Sequence, residues 1–187
     1  AYSEVLAGWR HIRNKPQIGR IVLAKASWAL GGGACVYMLA LLGENISPDR
    51  HAASIGILFA ARGIGTGIGP VLGRLWLRDS KKWPAILGAS VMISGAFYIL
   101  IGFLPWSYLI VLPIVVAHAA SGLNWVFSTV LLQERTQDMF RGRVFSTDWL
   151  VVMTADTISI LTASLILENN ILDLRYALMV FAALQIV

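Results

Sequence analysis

From Arg20 onward the chain repeats one pattern: a run of about twenty apolar residues, almost free of charge, closed by a short polar turn. Backbone N–H and C=O groups in such a run have no water to bond when the surroundings are apolar, so each run must satisfy them internally as a helix. Crossing the ~30 Å hydrocarbon core of a bilayer takes about 20 helical residues, the length seen here. Transmembrane β-strands alternate apolar and polar residues over about ten positions, and these runs do not alternate. The expected spans are 20–42, 52–75, 84–104, 107–132, 145–167 and 174–187. Composition agrees. The chain is 57% hydrophobic and 13% charged, with a mean hydropathy of +0.71, too little charge for a wetted surface.

The punctuation between runs is chemically specific. Glu44-Asn45-Ile46-Ser47-Pro48-Asp49-Arg50 closes the first span, and Arg78-Asp79-Ser80-Lys81-Lys82 follows the second. Pro84 opens the third span, where a missing N–H costs little. Pro105-Trp106 separates the third from the fourth, a polar loop over Gln133–Arg143 follows, and Glu168-Asn169-Asn170 precedes the last run. Residues 1–19 are mixed. Val5, Trp9 and Ile12 recur at helical spacing among Arg10, Arg13 and Lys15, which reads either as an amphipathic helix on a membrane surface or as an ordinary linker. The chain begins Ala1-Tyr2-Ser3-Glu4 and its last run stops at Val187 after 14 residues. The expectation is a fragment with a truncated final helix.

Lysine and arginine set the orientation. Arg10, Arg13, Lys15, Arg20, Arg74, Arg78, Lys81, Lys82, Arg135, Arg141 and Arg143 fall on one side, eleven in all, against Arg50 and Arg175 on the other. The positive-inside rule puts the crowded side in the cytoplasm. Such clustering between apolar runs suits a bilayer, so the net charge of +5 does not point to nucleic acid. The single cysteine, Cys35, excludes an internal disulfide or a cysteine metal site and reads as a small packing residue.

The end of the second span, Gly73-Arg74-Leu75-Trp76-Leu77-Arg78-Asp79-Ser80-Lys81-Lys82, is similar to the cytoplasmic loop signature of the major facilitator superfamily. Gly73, Leu75, Arg78, Lys81 and Lys82 fit it, while Leu77 and Ser80 stand where the family often has Asp and Gly. Leu132-Gln133-Glu134-Arg135 with Arg141-Gly142-Arg143-Val144-Phe145-Ser146 resembles a loop of the branch that includes the enterobactin exporter. So does the glycine-rich run from Gly56 to Gly73. The resemblance implies an all-α membrane protein: helices seven to twelve of twelve, the C-terminal half of the fold, built from two inverted three-helix repeats. Residues 1–19 would be a cytoplasmic linker and 20–187 the transmembrane bundle. The implied function is secondary active transport by alternating access, with proton-coupled export of a hydrophobic or amphipathic small molecule across a bacterial inner membrane. The implied partners are the lipid bilayer, the N-terminal six-helix half and the small-molecule substrate. A rival reading keeps the bundle as a structural or accessory subunit among other membrane subunits, without transport.

Candidate residues follow from the cost of charge in lipid, roughly 2.5–3.5 kcal/mol at mid-helix. Lys25, Arg62 and Asp156 lie within spans. Sign and depth suggest an Arg62–Asp156 pair, either a proton or substrate site or a structural lock. Lys25, nearer the basic end, is expected to snorkel or to join the pathway. His118, Ser121 and Trp125 share one stripe, so His118 either lines a cavity or bonds a backbone carbonyl. Asn124 is expected to hydrogen-bond between helices. Gly65, Gly69 and Gly73 share one helix face, and Gly63 and Gly67 another, for close helix approach. Trp28, Gly31, Gly32, Gly33 and Tyr37 suggest a bending or tightly packed stretch. Trp9, Trp76, Trp83, Trp106 and Trp149 suggest an interfacial belt. No nucleophile, paired-carboxylate or metal motif is present, so neither enzymatic activity nor a cofactor is expected.

Overall fold

The computed structural model describes residues 2–77 and 79–186, with side chains from Leu6 onward; Arg78 and the side chain of Val5 lie outside the described residues. All regular structure among the described residues is helical. Helix α1 spans Tyr2–Asn14, α2 Pro16–Ile46, α3 His51–Trp76, α4 Trp83–Phe103, α5 Val111–Arg135, α6 Asp138–Glu168 and α7 Leu174–Ile186. Five of them, α2 to α6, are long and apolar enough to cross a membrane.

Local chemistry sets the boundaries. Pro16 and Pro84 occupy first turns, where proline is tolerated. Leu104 is extended before Pro105, because a residue preceding proline is pushed out of the helical region, and α4 stops there. Asn170 has φ 52°, the left-handed conformation Asn adopts more readily than most residues, and it reverses the chain between α6 and α7. Asp173 then accepts the backbone N–H groups of Arg175 (2.9 Å) and Tyr176 (3.1 Å), which caps α7. The Arg175 guanidinium donates to the carbonyls of Gly102 and of Leu104 (3.0 Å) at the end of α4. It also lies 4.6 Å from the Trp106 ring centroid, tying the two helices together at the sparsely charged end.

The closest helix pairs are α3 with α5, α6 with α2, α4 with α5, α7 with α2, and α4 with α7. Exchanging α2–α4 for α5–α7 maps this set onto itself. The largest departure is α2 on α3, which has no comparably close match between α5 and α6. The α3–α5 seam depends on missing side chains. A Cβ on Gly69 would stand 2.6 Å from the carbonyl carbon of Ala119, one on Gly73 2.6 Å from Leu123, and one on Gly122 2.9 Å from the Cα of Thr66. Gly65, Gly69 and Gly73 therefore face α5, whereas Gly63 and Gly67 meet nothing within 4 Å. Met38, Leu39, Leu42, Leu58, Ile101 and Ile114 form the main core, and Ile18, Ile21, Leu87, Leu131 and Leu132 a second one toward the basic end. The outer faces stay apolar, with Leu23, Leu109 and Leu165 each more than 60% exposed, as a lipid-facing surface requires.

Two expectations are corrected here. The stretch Gln133–Arg143, expected as a loop, is helical except at Thr136 and Gln137. Arg141, Gly142 and Arg143 therefore sit in the opening turns of α6, where Arg141 pairs with Asp138 at 2.8 Å. Trp149 lies eleven residues past the start of α6. It meets Trp125 edge-on at 5.5 Å. Residues 2–14, for which a linker was the alternative, form a helix that packs on α6 through Gly8, where a Cβ would collide with Thr147 and stand 3.0 Å from the Arg143 carbonyl carbon.

Candidate functional site

A cavity of about 570 Å³ opens between α2, α3, α5 and α6. Its walls are aromatic: Trp28 and Tyr37 from α2, Phe59 from α3 and Trp125 from α5. Into it project Arg62 and Thr66 from α3, His118 and Ser121 from α5, and Asp156 from α6. Phe59, Arg62 and Thr66 are spaced for one helix face, as are His118, Ser121 and Trp125.

Arg62 and Asp156 share the cavity without pairing. Neither side chain makes a hydrogen bond or an ion pair among the described residues, and the Arg62 Nε is buried with no partner. The physical reason lies in the packing. The helices α3 and α6 are not close neighbours, since one lies along α5 and the other along α2, and the cavity occupies the gap. The expected Arg62–Asp156 ion pair is thus replaced by two charges facing shared space. Asp156 fits because of Gly33: its Oδ1 rests on the Gly33 backbone, and a Cβ there would stand 3.0 Å from the Asp156 Cγ and collide with Oδ1.

His118 is 2% exposed and held from both ring nitrogens. The Tyr98 hydroxyl lies 2.7 Å from Nε2, and the Ser121 Oγ lies 3.3 Å from Nδ1 and 3.2 Å from the His118 carbonyl. One proton assignment satisfies all three contacts: Nδ1–H donates to Oγ, Oγ–H donates to the carbonyl, and the Tyr98 O–H donates to Nε2. His118 therefore bonds side chains, not the backbone carbonyl that was one expectation. Tyr98 was missed as a site residue, although Ser90, Ser94 and Tyr98 recur every four residues as the polar stripe of α4, and all three are buried.

Toward the basic end, an aromatic layer closes the cavity. Trp28 and Trp125 meet edge-on at 6.5 Å. Beneath Trp125, at 4.5 Å from its ring centroid, sits the Lys25 Nζ, ion-paired to Asp148 Oδ2. Lys25 is 2% and Asp148 0% exposed, so Lys25 does not snorkel to the interface. Its partner was not among the residues singled out from sequence. The second oxygen, Asp148 Oδ1, is buried without a partner, as is the Oδ1 of Asn124. The Asn124 side-chain carbonyl thus makes no interhelical bond.

The loop-motif residues lie apart from the cavity. Gly73 belongs to the α3–α5 seam, and its carbonyl accepts the Leu77 N–H at 2.7 Å. The Trp83 Nε1 donates to the Leu77 carbonyl at 2.8 Å, and Asp79 accepts the Lys81 N–H at 3.1 Å. Lys81, Lys82 and Gly142 are exposed, and the Arg143 guanidinium lies 5.8 Å from the Phe140 ring. The described residues hold no cluster of three or more His, Cys, Asp or Glu able to bind a metal. In comparisons with known proteins, no family model, no curated protein and no solved structure matches this chain.

Proposed function

We propose that this chain is half of a secondary transporter of the major facilitator type. It would carry out proton-coupled export of a hydrophobic or amphipathic small molecule by alternating access. The observation that carries the reading is the pair of opposite charges, Arg62 and Asp156, facing one aromatic-walled cavity without a direct ion pair. Charge inside a membrane span is costly, and where no protein partner neutralises it, water or a ligand must. A volume of about 570 Å³ lies within the range of small-molecule sites, about 300–1,000 Å³. Trp28, Tyr37, Phe59 and Trp125 offer flat apolar surface for the body of such a substrate, and Arg62 and Asp156 offer polar anchors.

Two further features support this reading. The exchange relation between α2–α4 and α5–α7 fits two inverted three-helix repeats with a site at their interface. The weakly covered helices α3 and α6 border the cavity, where an N-terminal six-helix half would close it. Asp156 is the candidate proton carrier, since its carboxylate has no fixed counter-ion. On this reading the basic end faces the cytoplasm of a bacterial inner membrane.

The test uses the complete protein in proteoliposomes carrying an amphipathic fluorescent dye and an imposed pH gradient. The expected result is dye movement accelerated by the gradient in the parent and independent of it in Asp156→Asn, with dye binding retained. Gradient-driven movement that survives in Asp156→Asn removes Asp156 from the mechanism. A parent protein that moves no dye or other amphipath, and that isolates with unrelated membrane subunits, favours the accessory-subunit reading.

A further inference from the structure

The cavity between α2, α3, α5 and α6 also constrains the charge of whatever fills it. No helix end opens it: Gly33, Arg62, His118 and Asp156 each stand seven or more residues from either end of their helices. Around it the charges of this chain cancel. Lys25 and Asp148 are closed on each other beneath Trp125. His118 is neutral, and its ring has no open position, with Nε2 accepting from Tyr98 and Nδ1–H donating to Ser121. The Thr66 hydroxyl donates to the Arg62 carbonyl at 2.9 Å. The charged groups that remain open to the cavity are one guanidinium, Arg62 on α3, and one carboxylate, Asp156 on α6, not in contact with each other.

Each simple class of occupant leaves one of these groups without a partner. An uncharged molecule displaces water from both and replaces it with nothing. A cation pairs with Asp156, leaves Arg62 against apolar surface and brings net charge to a site whose own charges balance. An anion does the converse. A charge held away from water without a partner is the costly case, and a molecule carrying both signs avoids it twice.

We propose that the cavity takes a dipolar ligand: a net-neutral amphipath with an ammonium for Asp156, a carboxylate for Arg62 and an aromatic or apolar body for the walls of Trp28, Tyr37, Phe59 and Trp125. The inference rests on the transport reading above and names the class of its substrate. Reach agrees with it. An α-amino-acid head with one hydrogen bond at each end spans about 8–9 Å, and a sphere of about 570 Å³ is about 10 Å across.

Four fluorescent probes that differ only in charge test the proposal on the complete protein in detergent. Nε-dansyl-lysine carries both charges, its methyl ester the ammonium alone, its Nα-acetyl derivative the carboxylate alone, and the Nα-acetyl methyl ester neither. The dipolar probe should bind tightest, with the other three about tenfold weaker or more. Asp156→Asn keeps binding but brings the dipolar probe level with the acetyl derivative, while its preference over the ester stays. Arg62→Gln does the reverse. Each comparison is made within one variant, and thermal midpoints without probe establish that the variants are folded. A parent that binds the ester or the acetyl derivative as tightly as the dipolar probe, or that binds none of the four, overturns the proposal. So do folded variants that lose both preferences together or neither. Movement of the same probes in proteoliposomes under a pH gradient separates this inference from the reading beneath it. Gradient-driven movement of a singly charged probe in preference to the dipolar one overturns the dipolar class and leaves transport standing. The expected binding order without gradient-driven movement of any probe leaves the ligand class and removes transport.

Discussion

Lys25 and Asp148 allow a double-mutant cycle whose sign pattern is fixed before measurement. Both are essentially excluded from solvent, and the Lys25 Nζ bonds Asp148 Oδ2 while lying over Trp125. Removing one member of a buried pair costs about 3–5 kcal/mol, because the other charge is left uncompensated. The two single variants should not be equal. Asp148→Asn leaves Lys25 with its cation–π contact to Trp125 and with an amide oxygen as acceptor, so its cost lies near the lower end, about 3 kcal/mol. Lys25→Met leaves a buried carboxylate with neither oxygen bonded and falls near the upper end, about 5 kcal/mol. The double variant Lys25→Met/Asp148→Leu removes both charges at similar volume and should recover most of the loss, since apolar replacement of a buried pair is often neutral or stabilising. Thermal unfolding in detergent, followed through tryptophan fluorescence, reads the series. At about 2–4 °C per kcal/mol for a chain of this size, Asp148→Asn should lower the midpoint by about 6–12 °C. A double variant no better than the sum of the two singles would refute the reasoning, because the charges would then not be coupled.

Two further predictions rest on packing and on titration outside the spans. Gly69→Ala sets a methyl against the Ala119 backbone and should cost about 1–3 kcal/mol, whereas Gly142→Ala, with nothing within 4 Å, should be neutral or stabilise α6 by up to about 1 kcal/mol; thermal midpoints of the two compare them directly. His11 stacks on Phe140 at 4.4 Å with its Nε2 buried and unpartnered, and burial first, then the nearby Lys15 charge, pull its pKa below 6.5. The neutral ring is the docked form, so its contribution is full above pH 6.5 and fades as pH falls through the lowered value; the protection of α1 amides, taken relative to the intrinsic exchange rate at each pH, should fall from pH 7.5 to pH 5, and His11→Phe should abolish that change.

The spans were readable in the sequence because lipid leaves no freedom: a long uncharged run must be a helix, and the prolines and charged turns mark where it stops. The opening of α6 was not readable for the same reason. Asp138-Met139-Phe140-Arg141-Gly142-Arg143 looks like a loop to any rule based on hydrophobicity, yet an interfacial helix keeps its charges in water and pairs Arg141 with Asp138 within one turn. That misjudged start hid Asp148. Counted from residue 145 it sits at a span end; counted from Asp138 it is ten residues deep, close to the nine that separate Lys25 from Pro16. The glycine face toward α5 was legible from spacing alone. Its counterpart, Gly63 with Gly67, follows the same spacing and packs against nothing in this chain. Periodicity finds faces, and only the packing says which of them is used.

The two sets of opposite charge show what sign and depth leave open. Lys25 and Asp148 come from α2 and α6, which lie side by side, so their side chains meet and the charge is spent on holding those helices together. Arg62 and Asp156 come from α3 and α6, which the cavity separates. Asp156 thus shares a helix with Asp148, eight residues and about 12 Å further along, yet stands in the opposite condition. One carboxylate has a fixed partner and the other faces an empty space large enough for a small molecule. Gly33 sharpens the contrast, because the backbone of α2 gives way beside Asp156 where Lys25, two turns earlier, fills the equivalent position beside Asp148. Of the two carboxylates, Asp156 can change its state without breaking an ion pair, whereas changing the state of Asp148 would break the Lys25–Asp148 contact that joins α2 to α6.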